Sequence, residues 1–289
     1  LAIHVGGQRR AIDRITVTPA CADGAAHHGS AAMVFDDSAS GNQPTAIDPD
    51  AMSLRAALAE TKPVVSGHVP AEALTNSCRM AEHTDFFDAI YRCAEDDATR
   101  VPWADLRPHP LLVQWLNRDS CGIVRPGCRA AVVGCGLGDD VAELCHRGYD
   151  VLGFDCSPTA IKWAQRRHPG IAERFVVADA CDLPCRLQAR FDLVVEIYTL
   201  QSVRPAVRAC VAEGIGRLIS PRGVAVVIAR SREQAETNDD RDGPPWPLTL
   251  AEIDAMMLRA GLSSHGQART GLVTGESGPP RLCATYMRA

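Results

Sequence analysis

The sequence predicts an α/β fold: a doubly wound, seven-stranded, mostly parallel sheet with an antiparallel closing strand, under an N-terminal helical cover. Three observations predict it. From about residue 129 onward, short apolar runs alternate with segments whose apolar residues recur at helical period, the pattern of a parallel sheet with helices on both faces. Capping and breaking residues bound those segments. The first apolar run ends in VVGCGLGDD, residues 132–140, where Gly134, Gly136 and Gly138 lead into a helix. Open α/β sheets bind ligands at such strand ends.

The elements follow in order. Residues 1–79 are small, polar and broken by Gly and Pro, as in ADGAAHHGSAAMVFDDSASGNQPTAIDPD, with no sustained period; they read as a weakly ordered leader or extension. Within them PDAMSLRAALAE fits a short helix capped by Asp50, and His27 and His28 fit a flexible polar tract better than a metal site. The chain begins with Leu1, and regular periodicity starts near Met80, so residues 80–289 are expected to form the working domain. In MAEHTDFFDAIYRCAEDD, Phe86, Phe87, Ile90, Tyr91 and Ala94 share one helical face, with Thr84 as N-cap.

RAAVVG is then a first strand, and DDVAELCHRG a helix closed by Gly148. DVLGFD is a second strand, followed by a helix over SPTAIKWAQRRHPG with Ser157 as N-cap and Pro158 in its first turn. RFVVAD and FDLVVEIYTL are strands three and four. VRPAVRACVAEGIGRLIS reads as a helix and RGVAVVIARS as strand five. TLAEIDAMMLRAG is a helix capped by Thr249 and ended by Gly261. SSHGQARTGL and RLCATYMRA make a closing pair. The charge-rich SREQAETNDDRDG fits a solvated segment or a lid, and the following RDGPPWPLT a Pro-stiffened loop.

Composition narrows the function. Hydrophobic residues make up 46% of the 289, enough for a sizeable core, and 30 Lys and Arg against 35 Asp and Glu give a net charge of −5. That balance argues against a nucleic-acid partner. No apolar run reaches the roughly 20 residues of a membrane span, and no signal pattern opens the chain. The 12 cysteines form no CxxC pair and no His-matched cluster. They read as reduced, mostly structural thiols in a cytoplasmic protein, with no metal site.

The glycine loop has GxGxG spacing. A dinucleotide fingerprint wants its third glycine at 139, which is Asp139, and Asp139 and Asp140 would repel a pyrophosphate at a helix start. The loop therefore favours a ligand without phosphates. Asp155 ends the second strand, where a carboxylate accepts from ribose hydroxyls. Asp179 ends the third, with Ala180 beside it to face an adenine, and Glu196 lies in the fourth. Three acids on successive strands suit a nucleoside joined to a cationic amino acid.

VVGCGLGDD, GFD, VVADA and FDLVVEIY together resemble class I S-adenosylmethionine-dependent methyltransferases, over about residues 80–289. The upstream FFDAIYRCAEDDATRVPWADLRPHPLLVQWL is similar to the entry segment of the small-molecule members of the thiopurine and tellurite-resistance type. The resemblance implies a Rossmann-like domain, S-adenosyl-L-methionine as cofactor, a small-molecule methyl acceptor and a monomer. It places Gly134, Cys135, Gly136 and Gly138 along the methionine portion, and Asp155, with Cys156 and Ser157, at the ribose. Asp179 and Ala180 would face the adenine, and Tyr91 and Trp103 would close over the methionine end. One departure stands out: thiopurine enzymes carry an Arg after the fourth-strand acid, and here the residue is Ile197, which argues against a thiopurine acceptor.

Each residue also has a plainer reading. Tyr91 fits a core aromatic, Trp103 a loop anchor, and Glu196 a helix cap instead of an ammonium partner. Tyr198 and His109 are the candidate catalytic, substrate-facing residues, with Trp246 over the acceptor pocket. The alternatives are a buried backbone-bonded Tyr, a structural His between two prolines, and a Trp that pins its loop. The sequence shows no His–Asp pair fit for a general base, which points to proximity and desolvation acting on a thiol or other soft, acidic acceptor. Two rival functions stay open: a nicotinamide-dependent oxidoreductase, opposed by Asp139 and Asp140, and a non-catalytic cofactor-binding module.

Overall fold

The computed structural model describes residues 84–232, 244–271 and 280–288. The leader 1–79, its short helix, its His pair and most of the charged segment 231–243 lie outside the described residues. Helix α1 covers residues 84–93 and is followed by a one-turn 3-10 segment, Ala98–Arg100. Thr84, expected as the N-cap, is itself helical.

Next comes α2 (Pro110–Arg118), which the sequence reading does not separate from the entry segment. Its signals are ordinary ones: Pro110 at the first position, and Leu112, Trp115 and Leu116 spaced to bury one face. His109 is its N-cap, accepting the Leu111 N–H at Nδ1 over 3.2 Å.

From β1 (Arg129–Val133) the expected alternation holds: α3 (Asp139–His146), β2 (Asp150–Asp155), α4 (Pro158–Arg167), β3 (Phe175–Val177) and β4 (Phe191–Ile197). A single turn, α5 (Thr199–Ser202), precedes α6 (Pro205–Leu218) and β5 (Ile219–Arg230). The chain closes with α7 (Leu250–Arg259), β6 (Ser263–Ser264), β7 (Arg269–Gly271) and β8 (Arg281–Met287).

Eight strands form one sheet in the order β3-β2-β1-β4-β5-β8-β6, with β7 also paired to β8. β1 to β5 are parallel; β8 runs antiparallel to β5 from Val224↔Met287 to Arg230↔Arg281. The eighth strand arises because the expected SSHGQARTGL strand is interrupted. Gly266, at φ +72°, bends the chain between β6 and β7, and both then pair with β8.

Period-two alternation divides the core between the two faces. Ala131 and Val133 of β1, and Ala225 and Val227 of β5, pack with Val211 and Ile215 of α6 and with Ile253 and Met257 of α7. Ala130, Val132, Val224 and Val226 pack on the other face with Leu112 and Trp115 of α2 and with Val141 and Leu144 of α3. A smaller cluster seats the cover: Tyr91 and Ala94 lie against Ala160 and Trp163 of α4 and Leu137 of the glycine loop. Strand order reverses between β1 and β4, so the carboxyl ends of these two strands open a crevice at the switch point.

Candidate active site

The glycine loop is built on contacts that leave no room for side chains. Gly138 has φ +90°, and a Cβ there would meet the Phe175 ring at 2.6 Å. Gly134, at φ +63°, would drive a Cβ into the Thr199 hydroxyl. The tight bend packs the head of α3 against β3 and frees the loop backbone to line a cavity between β1, β2, β4 and the cover.

Asp155 braces that loop. Its Oδ2 accepts the Gly136 N–H at 3.0 Å and its Oδ1 the Ser157 N–H at 2.9 Å. Burial pushes its carboxyl up, and the two backbone donors oppose the rise. Ser157 lies behind the cavity wall as the N-cap of α4, accepting from Ala160 N–H at 3.0 Å. Its hydroxyl donates to Asp88 Oδ1 at 2.7 Å, and the Thr159 N–H reaches the same oxygen at 2.9 Å. Asp88 therefore ties α1 to the head of α4. Burial works to raise its carboxyl, but the Thr159 and Ser157 hydrogen bonds, with Arg92 alongside, leave it lowered.

The cover is aromatic. Trp103 Nε1 donates to the Tyr91 hydroxyl at 2.7 Å, and the rings meet edge-on at 5.7 Å. Tyr91 also meets Trp163 edge-on at 6.1 Å. Both Tyr91 and Trp103 line the cavity, as do Cys135, Cys156, Asp179 and Ala180. The Cys135 and Cys156 thiols are pushed well up by burial and by Asp155, so they are neutral and not nucleophiles. Among the described residues all ten cysteines are free thiols.

The opposite end is formed by His109 and Tyr198. Tyr198 sits just past β4 at φ +65°, a left-handed conformation that costs a non-glycine residue about 1–2 kcal/mol. His109 Nε2 and the Tyr198 hydroxyl are 2.9 Å apart, and Arg281 Nε donates to the same hydroxyl oxygen at 2.7 Å. Because the Leu111 N–H occupies His109 Nδ1, the ring hydrogen is assigned to Nε2. The Tyr198 oxygen thus receives two N–H donors, one of them cationic. Burial, with Arg281 and Arg107 nearby, holds the His109 imidazole down to about 4, so it is neutral near pH 7.

Three residues from the sequence reading are not brought to the cavity wall: Ser157, Glu196 and Trp246. Glu196 is wholly buried, with Oε1 accepting the Leu200 N–H at 2.9 Å. It holds the turn α5 rather than a ligand, which corrects its expected cofactor role. Burial pushes its carboxyl up to about 7, against the Leu200 and Thr199 N–H groups. Trp246 is buried with its backbone N–H on Gln201 O at 2.8 Å and the Arg208 guanidinium 5.8 Å from its ring centroid. It pins its loop and does not cover the acceptor end.

The sequence reading missed two others. Arg281 carried no signal, being one more residue in the closing strand. Asp140 did carry one, but was weighed only for what it would repel; it lines the cavity and its Oδ1 accepts the His109 N–H at 2.7 Å. In all, five aspartates line the cavity (105, 139, 140, 155 and 179) against one arginine, Arg107. A cavity so charged fits a cationic ligand, and a glycine loop that brings bare backbone to its wall fits one that lies flat along it.

Comparison with known proteins agrees. A family model described as a methyltransferase domain matches residues 131–223. The chain is 23% identical over 170 residues to a probable thiol methyltransferase 2 of Arabidopsis thaliana, covering 58% of this chain and 71% of that protein. It is 25% identical over 175 residues to thiocyanate methyltransferase 1 of Brassica oleracea, covering 60% and 73%. Among solved structures, the Burkholderia thailandensis 1,6-didemethyltoxoflavin-N1-methyltransferase with bound S-adenosylhomocysteine superposes with a TM-score of 0.55 at 16% identity, over 78% of this chain and 94% of that one.

Proposed function

We propose that this chain, which carries a methyltransferase domain over residues 131–223, is a class I S-adenosylmethionine-dependent methyltransferase acting on a small molecule, and that its acceptor is a thiol or another soft, acidic nucleophile, methylated by in-line displacement. The observation that carries this reading is the state of His109. Buried, neutral and with Nδ1 occupied, it cannot take up a proton near pH 7. The acceptor end therefore supports nucleophiles that need little help from a base. The names of the two plant relatives, for thiol and thiocyanate methylation, support the same class.

When bound, S-adenosylmethionine supplies an activated methyl group whose sulfonium departs as a neutral thioether. The protein's part is placement. Gly134, Cys135, Gly136 and Gly138 present backbone to the methionine portion, Asp155 takes the ribose, and Asp179 and Ala180 face the adenine. Tyr91 and Trp103, locked to each other, exclude water above. Tyr198 and His109 orient the acceptor. Such orientation is worth up to about 7–11 kcal/mol in favourable intramolecular reactions.

Among the described residues no helix is long and apolar enough to cross a membrane. We read the free thiols as those of a cytoplasmic protein and the working unit as a monomer over residues 80–289, without a nucleic-acid partner. A screen of thiols, phenols, amines and metalloid oxyanions, read by S-adenosylhomocysteine release, tests the acceptor class. Thiols should turn over fastest, and Tyr198→Phe should lower their kcat tenfold or more, on the order of 1.4 kcal/mol, with cofactor affinity unchanged. Faster turnover of amines, or a variant that loses cofactor binding instead, would overturn the assignment.

A further inference from the structure

Two half-buried thiols meet behind the cavity wall. Cys181 lies in the one-turn 3-10 segment Ala180–Asp182, directly after Asp179, and Cys210 lies in α6. One face of α6 docks on that turn, through positions 210, 214 and 217 at helical spacing. A Cβ at Gly214 would come within 2.0 Å of the Ala180 carbonyl oxygen, so the missing side chain is what lets the helix sit this close. Arg217 donates to the Cys181 carbonyl oxygen at 3.4 Å, and Cys210 Sγ lies 3.9 Å from the same oxygen. The two thiols also hydrogen-bond to each other. Asp179, Ala180, Val207 and Val211 line the cavity on the two sides of this joint, whereas neither thiol does.

We propose that Cys181 and Cys210 are a disulfide-forming pair, closed by a small disulfide oxidant of the glutathione type, and that the bond braces the turn after Asp179 against α6. The Cys210 sulfur attacks glutathione disulfide, a Cys210–glutathione bond forms, and one glutathione departs as thiolate. The Cys181 sulfur then attacks Cys210, the protein disulfide forms, and the second glutathione departs. Each departing thiolate takes up one of the two protons that the protein thiols lose. Two protein thiols are thus oxidised, and one glutathione disulfide is reduced to two thiols. Neither step uses the methyl donor or the acceptor, so the inference stands apart from the proposed function.

The setting makes the bond slow to form and lasting once formed. Burial, with Cys210 and Asp179 beside it and Arg217 opposing, pushes the Cys181 thiol far up. A thiol held protonated is a slow nucleophile, which leaves the first attack to Cys210. A strongly oxidising disulfide is one whose reduced form is stabilised, and no thiolate is stabilised at Cys181. The bond spans 29 positions of the chain, so it removes freedom chiefly from the unfolded state. It joins elements that already touch, and the cavity keeps its shape. Cys135 and Cys156, which do line the cavity, differ in this respect: a group added to either would stand in the ligand's place.

The bond is read by incubating the full chain with glutathione disulfide, with and without S-adenosylhomocysteine, alkylating the remaining thiols and mapping tryptic peptides by mass. Phe175–Arg186 should appear joined to Ala209–Arg217, two hydrogens lighter than the separate pair. Cys185 shares the first peptide, so Cys185→Ser identifies the partner: the joined species should persist in it and vanish in Cys210→Ser. The joined protein should melt several degrees higher, return to the original midpoint with dithiothreitol, and bind S-adenosylhomocysteine within about twofold of the reduced protein. Glutathione on the two peptides separately, with no joined species, would overturn the proposal, and the wild type alone shows it. Loss of the joined species in Cys185→Ser would move the bond to that exposed thiol and overturn the assignment. A joined protein that melts no higher, or that loses a binding the reduced protein has, would overturn the brace. A chain that closes the bond but binds no S-adenosylhomocysteine in either state would remove the cofactor reading and support this one.

Discussion

Glu196 shows how a single side chain can be misread from its position. An acid near the end of the fourth strand looks like a ligand for an ammonium, but the pleat turns it into the core, where Oε1 caps α5 and Oε2 has no hydrogen-bond partner. A buried carboxyl with one unsatisfied oxygen favours its neutral form. Its folded value, about 7, exceeds the ordinary 4.5. The folded state therefore binds an extra proton between those limits, and stability falls as pH rises through that window. Each tenfold change in proton affinity is worth about 1.4 kcal/mol, so the loss is on the order of 3 kcal/mol. Glu196→Gln should flatten the decline, keep the Leu200 hydrogen bond and leave cofactor affinity unchanged. Urea melts of both proteins at pH values of about 5 and 8 measure this; a wild-type slope that the substitution leaves intact would show that Glu196 is not its source.

At the scale of elements, the joint between α1 and α4 decides whether the aromatic cover stays seated. Asp88 carries that joint on the α1 side, taking the Ser157 hydroxyl and the Thr159 N–H on one oxygen and facing Arg92 at 3.2 Å with the other. The apolar cluster that seats α1, around Tyr91 and Ala94, is separate from the two that pack on the sheet. Asp88→Ala should therefore weaken S-adenosylhomocysteine binding about tenfold, the equivalent of one charged hydrogen bond or so, while the main unfolding transition moves little. Equal losses in both would mean that the cover and the sheet fold as one unit. The elements themselves were largely legible in the sequence. Ser157 with Pro158, Thr249 with its capping box to Glu252, and the alternation through β1, β4 and β5 depend on neighbours within a few residues. Helix α2 was missed although Pro110 and the Leu112, Trp115, Leu116 spacing announced it. What local pattern cannot carry is the meeting of Tyr198, His109 and Arg281, residues 83 and 89 positions apart in the two hydrogen bonds, or the inward turn of Glu196 and Trp246. Those depend on strand order and register, which settle only when the sheet closes.

At the scale of the whole molecule, charge is expected to discriminate among ligands before shape does. The full chain carries a net charge of −5, and the cavity concentrates the same sign, five aspartates to one arginine. A low-dielectric crevice lined by one sign focuses its field on whatever enters. S-adenosylmethionine and S-adenosylhomocysteine carry no phosphate, and each offers an ammonium to that field. A nicotinamide dinucleotide would bring its pyrophosphate to the head of α3, where Asp139 and Asp140 occupy the first turn and cancel the attraction a helix N-terminus has for anions. NAD at millimolar concentration should therefore leave the calorimetric titration with S-adenosylhomocysteine unchanged. Doubling the ionic strength should weaken that titration only slightly, since buried pairs are screened far less than exposed ones. Competition by NAD at micromolar concentration would mean that the aspartates do not govern the cavity, and it would reopen the oxidoreductase reading.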